Sequence, residues 1–389
     1  MRRALETSGV DRSFKEIISS ALEGEPLDVE DGERLLQAEG EELLMLVNAA
    51  DEVREMLVGD VVTYVKNRNL NFTNICAGSC RFCAFRRSKE DPDGYVLSHQ
   101  QIKAKVKEAV NFGATEICVQ GGLHPDFGLH DYLKIIEAIR SVSSTIHIHG
   151  FSPAELDHIA NQEGISIEEV IVALRNAGLN SVPGTAAEIL VNRVREIICP
   201  EKISVERWCE IVKSCHRLGL PTTATMLYGT VETPKEIAEH LNILKDIQVE
   251  TGGFTEFVPL AFMPYNTPLA SDGRLSPPSI EESLKVHAVA RLMLAGHINN
   301  IQASWVKLGP KGAQLMLTAG ANDLGGTLME ENITRAAGGS FQSMTPEQLE
   351  ALARELGRIP KERTTIYRPF LTFLKQTCGS IRCKVICYH

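Results

Sequence analysis

The spacing of hydrophobic and polar positions changes near residue 61. Before it, segments 14–22 and 33–47 carry apolar residues at helical spacing, which predicts two amphipathic helices. Asp28 is placed to cap the second, and acidic residues fill its first turn. After residue 61, short apolar runs alternate with amphipathic helical stretches. The runs predict strands at 70–73, 116–120, 145–149, 181–182, 222–226, 254–258, 300–303 and 322–324. Helices are predicted between them, at 98–112, 129–142, 166–177, 205–218 and 234–250 among others. Such alternation implies a parallel sheet, and eight units with right-handed crossovers imply a closed (β/α)8 barrel of the TIM type. Later, Thr345-Pro346-Glu347-Gln348 reads as a helix start with a capping box. The expected organisation is an N-terminal helical segment at 1–60, an α/β barrel at 61–340, and a C-terminal helix and tail at 341–389.

Composition narrows the class. The 389 residues are 43% hydrophobic and 23% charged, which suits a globular chain with a large core. A formal net charge of −10 argues against a nucleic-acid backbone as the main partner. No stretch approaches the roughly 20 consecutive apolar residues of a membrane helix. The N-terminus, Met1-Arg2-Arg3-Ala4-Leu5-Glu6, turns polar at once and lacks the apolar core of a secretory signal. A cytoplasmic location is expected, with no membrane partner. In that compartment the ten cysteines are reduced, which suits metal ligands and buried thiols better than disulfides.

The chemistry-bearing segment is Asn74-Ile75-Cys76-Ala77-Gly78-Ser79-Cys80-Arg81-Phe82-Cys83. Its loop follows the first predicted strand, at the barrel end where active sites lie. A cubane iron–sulfur cluster has four corners, each wanting a thiolate. Cys76, Cys80 and Cys83 can reach three corners and leave one iron open for a ligand. The small residues Ala77, Gly78 and Ser79 let the loop wrap closely, and Phe82 can shield the cluster from water. A structural zinc site would want a fourth, distant ligand. A zinc-stabilised barrel that only binds a ligand is the alternative outside enzymes.

Other candidates stand at predicted strand ends, where substrate contacts belong. His147 and His149 share one face of the third strand and could bind substrate or relay protons. Glu256 interrupts an apolar strand, and a buried carboxylate needs a donor. Gln302, Ser304, Asn322 and Asp323 end the last two strands and can match ring amides and hydroxyls; Tyr228 and Glu232 follow the fifth. Glu188 falls in the first turn expected for the next helix, so dipole complementation competes there with ligand binding. Arg193 and Arg195 read as surface salt-bridge partners that could also meet a carboxylate. Cys118, Cys199, Cys209 and Cys215 read as ordinary thiols. Cys378, Cys383, Cys387 and His389 read as a terminal extension, with auxiliary metal binding as the alternative.

The C-x3-C-x-aromatic-C loop resembles that of the radical S-adenosylmethionine (SAM) superfamily. The resemblance implies one 4Fe–4S cluster on Cys76, Cys80 and Cys83, with SAM on the open iron. It implies reductive cleavage of SAM to methionine and a 5′-deoxyadenosyl radical. It also implies a SAM-binding wall of Phe82, Gln120, Gly121, Gly122 and Glu188.

Further motifs, namely Gly121-Gly122-Leu123-His124-Pro125, His147-Ile148-His149, Pro183-Gly184-Thr185-Ala186-Ala187-Glu188, Gly253 to Leu260, Ala303 to Gly309 and Gly320 to Thr327, resemble one subgroup. That subgroup is the FO synthase subunit 2 family, the tyrosine 4-hydroxyphenyl transferases. Membership implies transfer of the 4-hydroxybenzyl group of L-tyrosine to 5-amino-6-(D-ribitylamino)uracil, with release of 2-iminoacetate, in biosynthesis of FO and coenzyme F-420. It implies FO synthase subunit 1 as functional partner, and an electron donor. The menaquinone-pathway relatives, aminofutalosine synthase and dehypoxanthine futalosine cyclase, are the competing assignment. The Pro183 to Glu188 run favours the transferases.

Overall fold

The structure is a computed structural model that describes residues 9–271 and 273–367. The tail residues Cys378, Cys383, Cys387 and His389 lie outside the described residues. Parallel pairing runs around a complete ring. β1 (Val61–Val65) and β2 (Asn67–Asn71), separated only by Lys66, form its first stave. β2 pairs with β3 (Glu116–Gln120), and β3 with β4 (His147–Gly150). His149 bridges to Ser181, and Val182 bridges to Thr222 at the start of β5 (Thr222–Tyr228). β5 pairs with β6 (Phe254–Ala261). Phe257 bridges to Ile301, and Gln302 bridges to Asp323 in β7 (Asp323–Gly326). β7 then pairs back onto β1. The expected barrel is therefore closed, with the fourth and seventh staves reduced to the short bridged segments 181–182 and 301–302.

The first stave begins earlier than the predicted strand at 70–73, because the β-branched run Val61-Val62-Thr63 is already extended. Residues beyond Asn71 leave it: Thr73 bridges to Val96 and Ile75 to Arg87, which opens the cysteine loop.

The N-terminal segment forms α1 (Arg12–Glu23), α2 (Val29–Leu36) and α3 (Glu41–Val58). Asp28 caps α2 through the amide of Asp31. The single helix predicted over 33–47 is instead two, α2 ending at Leu36 and α3 starting after Gly40, whose φ of 54° is non-helical and turns the chain into the new helix. α2 packs on the helix Pro234–Thr251, and α3 packs on the helix Ile280–Met293. Phe14, Ile18 and Leu35 thereby join one apolar core with barrel residues such as Met226 and Phe257.

The C-terminal extension differs from the helical one expected. The Thr345 capping box forms and the helix Pro346–Arg354 follows. The chain then adds β8 (Ile359–Glu362), parallel to β1 with Val61 opposite Ile359. Beyond β8 it turns into the barrel. Arg363 Nε donates to Asp323 Oδ2 at 2.5 Å, and Arg363 Nη2 donates to Glu256 Oε2 at 3.1 Å. Thr365 Oγ1 donates to Glu116 Oε2 at 2.7 Å, and the Tyr367 hydroxyl donates to Glu256 Oε2 at 2.8 Å. These residues form a floor under the barrel interior.

Arg363→Met leaves Glu256 and Asp323 buried without their cation, so it is expected to cost about 3–5 kcal/mol, read from urea unfolding midpoints. Losing the cation raises the Glu256 carboxyl pKa further, so stability is lost as pH rises through that value. The variant therefore falls further below wild type at about pH 8 than at about pH 6.

Candidate active site

The cysteine loop is held from three sides. Cys76 N donates to Arg87 O at 3.0 Å, Ala77 N to Leu123 O at 2.8 Å, and Arg81 N to Ile198 O at 2.8 Å. Cys76, Cys80 and Cys83 are free, half-buried thiols, and all three line one cavity of about 430 Å³. The amide of Leu123 donates to Cys76 Sγ at 3.3 Å, a contact that stabilises thiolate character and tunes a bound metal. Among the described residues, no group of three His, Cys, Asp or Glu side chains converges as ligands of a single ion. Three soft sulfur donors spread along one short loop, with sulfur-directed amide support, fit three corners of a cubane.

Gly121 and Gly122 clasp this loop. A Cβ on Gly122 would lie 2.3 Å from Ile75 O and 2.8 Å from Cys76 Cβ. A Cβ on Gly121 would lie 2.5 Å from the Phe72 ring. The glycine pair is therefore demanded first by the protein's own packing against the cluster loop, and only then by ligand approach. Gly121 N donates to Glu155 Oε1 at 3.2 Å, while Glu155 Oε2 accepts from Ser152 N at 2.6 Å. Burial pushes the Glu155 carboxyl up to about 7, against these hydrogen bonds.

Glu188 is not in a helix. It precedes the helix Asn192–Ile198, in a loop where Ala186 (φ 68°) and Glu188 itself (φ 44°) take left-handed backbone. The helix-dipole reading therefore fails, and strain concentrates beside the cavity instead. Lys202 Nζ donates to Glu188 Oε1 at 2.5 Å and stands 5.3 Å from the Phe82 ring centre. Arg195 is buried rather than a surface partner, and its Nη1 donates to Ala187 O at 2.6 Å, holding the same loop. Arg193 does pair at the surface, with Glu236.

Of the predicted residues, Cys76, Cys80, Phe82, Cys83, Gln120, Gly121, Gly122, Glu188, His149, Glu256, Gln302 and Ser304 line the cavity. His147, Tyr228, Glu232, Asn322 and Asp323 do not. Asn322 Oδ1 accepts from Arg291 Nη2 and Ile301 N, each at 2.9 Å, so it ties staves together. Asp323 is saturated by Arg363, Thr63 and Gly325. Tyr228 is bonded to Ser283, and Glu232 caps its own loop at Gly229 and Thr230. His147 Nε2 and His149 Nδ1 both meet Ser181 Oγ at 2.7 Å. Burial lowers both imidazoles, His147 to about 4, so both rings are neutral at neutral pH. Glu256 does have the donors that its burial demands, but they are Arg363 and Tyr367 of the same chain. Burial pushes its carboxyl up to about 7 despite Arg363.

Several cavity residues escaped the sequence reading. Asn67, Asn69 and Asn71 share one face of β2 and line the cavity. Their strand-like period of two was a usable signal. Glu116, two residues before Cys118 and four before Gln120 on β3, follows the same rule. Arg363 and Thr365 carried no such signal, because their contacts depend on the chain's return beneath the barrel.

Residues 70–244 match the model of the radical SAM superfamily, and residues 251–376 match that of the CofH/MqnC C-terminal region. A 5-amino-6-(D-ribitylamino)uracil–L-tyrosine 4-hydroxyphenyl transferase of Methanosarcina barkeri is 50% identical, over 94% of this chain and 96% of its own. One from Methanothermobacter thermautotrophicus is 48% identical, over 91% and 97%. The chain belongs to the radical SAM superfamily, in this family of 4-hydroxyphenyl transferases. Among solved structures, methylornithine synthase superposes with a TM-score of 0.70 at 19% identity, covering 89% of this chain and 97% of its own. HydG, a maturase of the FeFe-hydrogenase, gives 0.72 at 17% identity, covering 96% and 83%. Both share the fold. Superfamily membership brings one 4Fe–4S cluster on three cysteines, with SAM as cosubstrate, and it overturns the zinc-stabilised binding barrel. No helix among the described residues is long and apolar enough to cross a membrane.

Gly122→Ala forces backbone against backbone at the cluster loop. Iron and acid-labile sulfide per chain after anaerobic reconstitution are expected to fall to about half or less. Ala at the exposed Gly9, where the backbone is not left-handed and an added Cβ meets nothing within 4 Å, leaves both at wild-type values.

Proposed function

We propose that the chain joins the 4-hydroxybenzyl group of L-tyrosine to 5-amino-6-(D-ribitylamino)uracil, releasing 2-iminoacetate, on the route to FO and coenzyme F-420. The observation that carries this reading is the near-half identity, end to end, to transferases named for those two substrates. Cys76, Cys80 and Cys83 are assigned to the cluster, and Phe82, Gln120, Gly121, Gly122 and Glu188 to SAM. When reduced, the cluster supplies the electron that cleaves SAM and so starts the radical chemistry. The protein's part is to hold both substrates dry and aligned.

Polar groups with unused valence suit a uracil and a ribityl chain. The Gln302 carboxamide makes no hydrogen bond among the described residues, and that of Gln120 meets only Cys118 Sγ, at 3.9 Å. His149, engaged among the described residues only through Nδ1, lines the same cavity and is assigned to substrate contact, while Glu256, held by Arg363 and Tyr367, supports the cavity from its floor. His147, Asn322 and Asp323 are given supporting roles behind them. FO synthase subunit 1 is the functional partner that would take the product, an electron donor reduces the cluster, and the setting is the cytoplasm.

The test is anaerobic incubation of reconstituted protein with SAM, reductant, tyrosine and the aminouracil, followed by mass spectrometry. The coupled adduct and 5′-deoxyadenosine are expected together, and replacing any one of Cys76, Cys80 and Cys83 by Ala abolishes both. Deoxyadenosine released only with a menaquinone precursor would move the assignment to that pathway.

A further inference from the structure

Two opposite charges line the cavity without pairing with each other. Lys307 sits on the single helical turn after the seventh stave, before the chain kinks at Gly309 (φ 71°). The turn is rigid. Lys307 N donates to Ser304 O at 3.1 Å, and the buried Trp305 pins it to the eighth stave through Nε1 to Gly326 O at 3.1 Å. Among the described residues, no hydrogen bond or ion pair reaches the Lys307 ammonium. Its charge nonetheless feels Glu331 and Cys83, and burial lowers its pKa. The side chain is half-buried, so its charge is partly desolvated, and no partner among the described residues offsets that cost.

Glu331 follows the eighth stave and is 7% exposed. It is fixed by neutral donors only: Asn69 Nδ2 at 2.7 Å and Thr334 N at 2.8 Å. It stands beyond the 4.0 Å reach of an ion pair with Lys307. The SAM wall assigned above occupies the other side of the cavity, after the second to fourth staves. There the cation Lys202 is already matched by Glu188.

We infer that Lys307 and Glu331 together bind the zwitterionic head of the amino-acid substrate, Lys307 taking the α-carboxylate and Glu331 the α-ammonium. This rests on the reading that tyrosine is the amino acid. Each group is preorganised by its own backbone or amide contacts, so the substrate closes the charge pair that the protein leaves open. A ligand lacking either charge leaves one of the two without a counter-charge in the cavity.

The experiment is calorimetric titration of cluster-reconstituted protein in the presence of SAM. Its probes are L-tyrosine, tyramine (which lacks the carboxylate) and 3-(4-hydroxyphenyl)propanoate (which lacks the ammonium). Lys307→Met is expected to weaken tyrosine about 100-fold while leaving tyramine within about threefold. Lys307→Arg recovers part of the loss. Glu331→Gln is expected to weaken tyrosine while leaving the propanoate nearly unchanged. SAM affinity and iron content stay at wild-type values in the Lys307 variants, and the thermal midpoint does not fall. Unchanged tyrosine binding in Lys307→Met, or loss of SAM binding in its place, overturns the inference. Wild type that binds tyrosine but forms no adduct sinks the transferase reading alone, and wild type that binds no tyrosine sinks both.

Discussion

One guanidinium closes the barrel from below. Glu116, Glu256 and Asp323 are carboxylates at or under the barrel interior, all within 5% of complete burial. A closed ring of parallel strands offers them little water, and carboxylates so placed need cations or donors. Arg363 answers two at once, joining Asp323 on the eighth stave to Glu256 on the sixth. Its guanidinium also lies 4.2 Å from the Tyr367 ring centre, and the Tyr367 hydroxyl bonds Glu256. β8 is the device that delivers this cation, since pairing with β1 sets where the chain turns inward. The acidic interior and the C-terminal return are thus one feature. Neither is stable without the other.

Above that floor the cavity is divided by function. One side, after the second to fourth staves, holds the glycine clasp, the strained Ala186–Glu188 loop and the internally matched Lys202–Glu188 pair. The other, after the seventh and eighth staves, holds Lys307 and Glu331, charges that the protein does not match. The cluster loop lies between them on the first stave. Cofactor and substrate can then be recognised by separate walls while their reacting atoms meet over one metal centre, which is the arrangement that proximity catalysis requires.

Much of the fold is legible in the sequence because strand and helix periods are local. The strand expected at 116–120 is the one observed, and the capping box at Thr345 forms as its residues specify. The loop of three cysteines is legible for the same reason, its ligands lying within eight residues of one another. What escapes is non-local. Arg363 lies 107 positions from Glu256, and no periodicity links them. Glu188 looks like a first-turn acid only until the positive φ of Ala186 and of Glu188 itself shows that the helix has not begun. Asn67, Asn69 and Asn71 were legible, since alternation on a strand is local, but asparagine is rare enough in strands that the stripe does not announce itself as one.

The deeper distinction is between polar groups that the fold has spent and those that it has left open. Asn322 and Asp323 stand at strand ends, as substrate residues should, yet every strong valence of each is taken by Arg291, Ile301, Arg363, Thr63 or Gly325. A ligand could engage them only by breaking a bond already made in a dry interior, which returns little. Gln302 occupies the neighbouring stave with its carboxamide unengaged, and Lys307 carries its charge without an internal partner. Position at the barrel's catalytic end is therefore necessary but does not select the binding residues. Residual valence at the cavity selects them, because half-buried groups such as Gln302 and Lys307 can be engaged by a ligand without breaking a bond that the fold has already made.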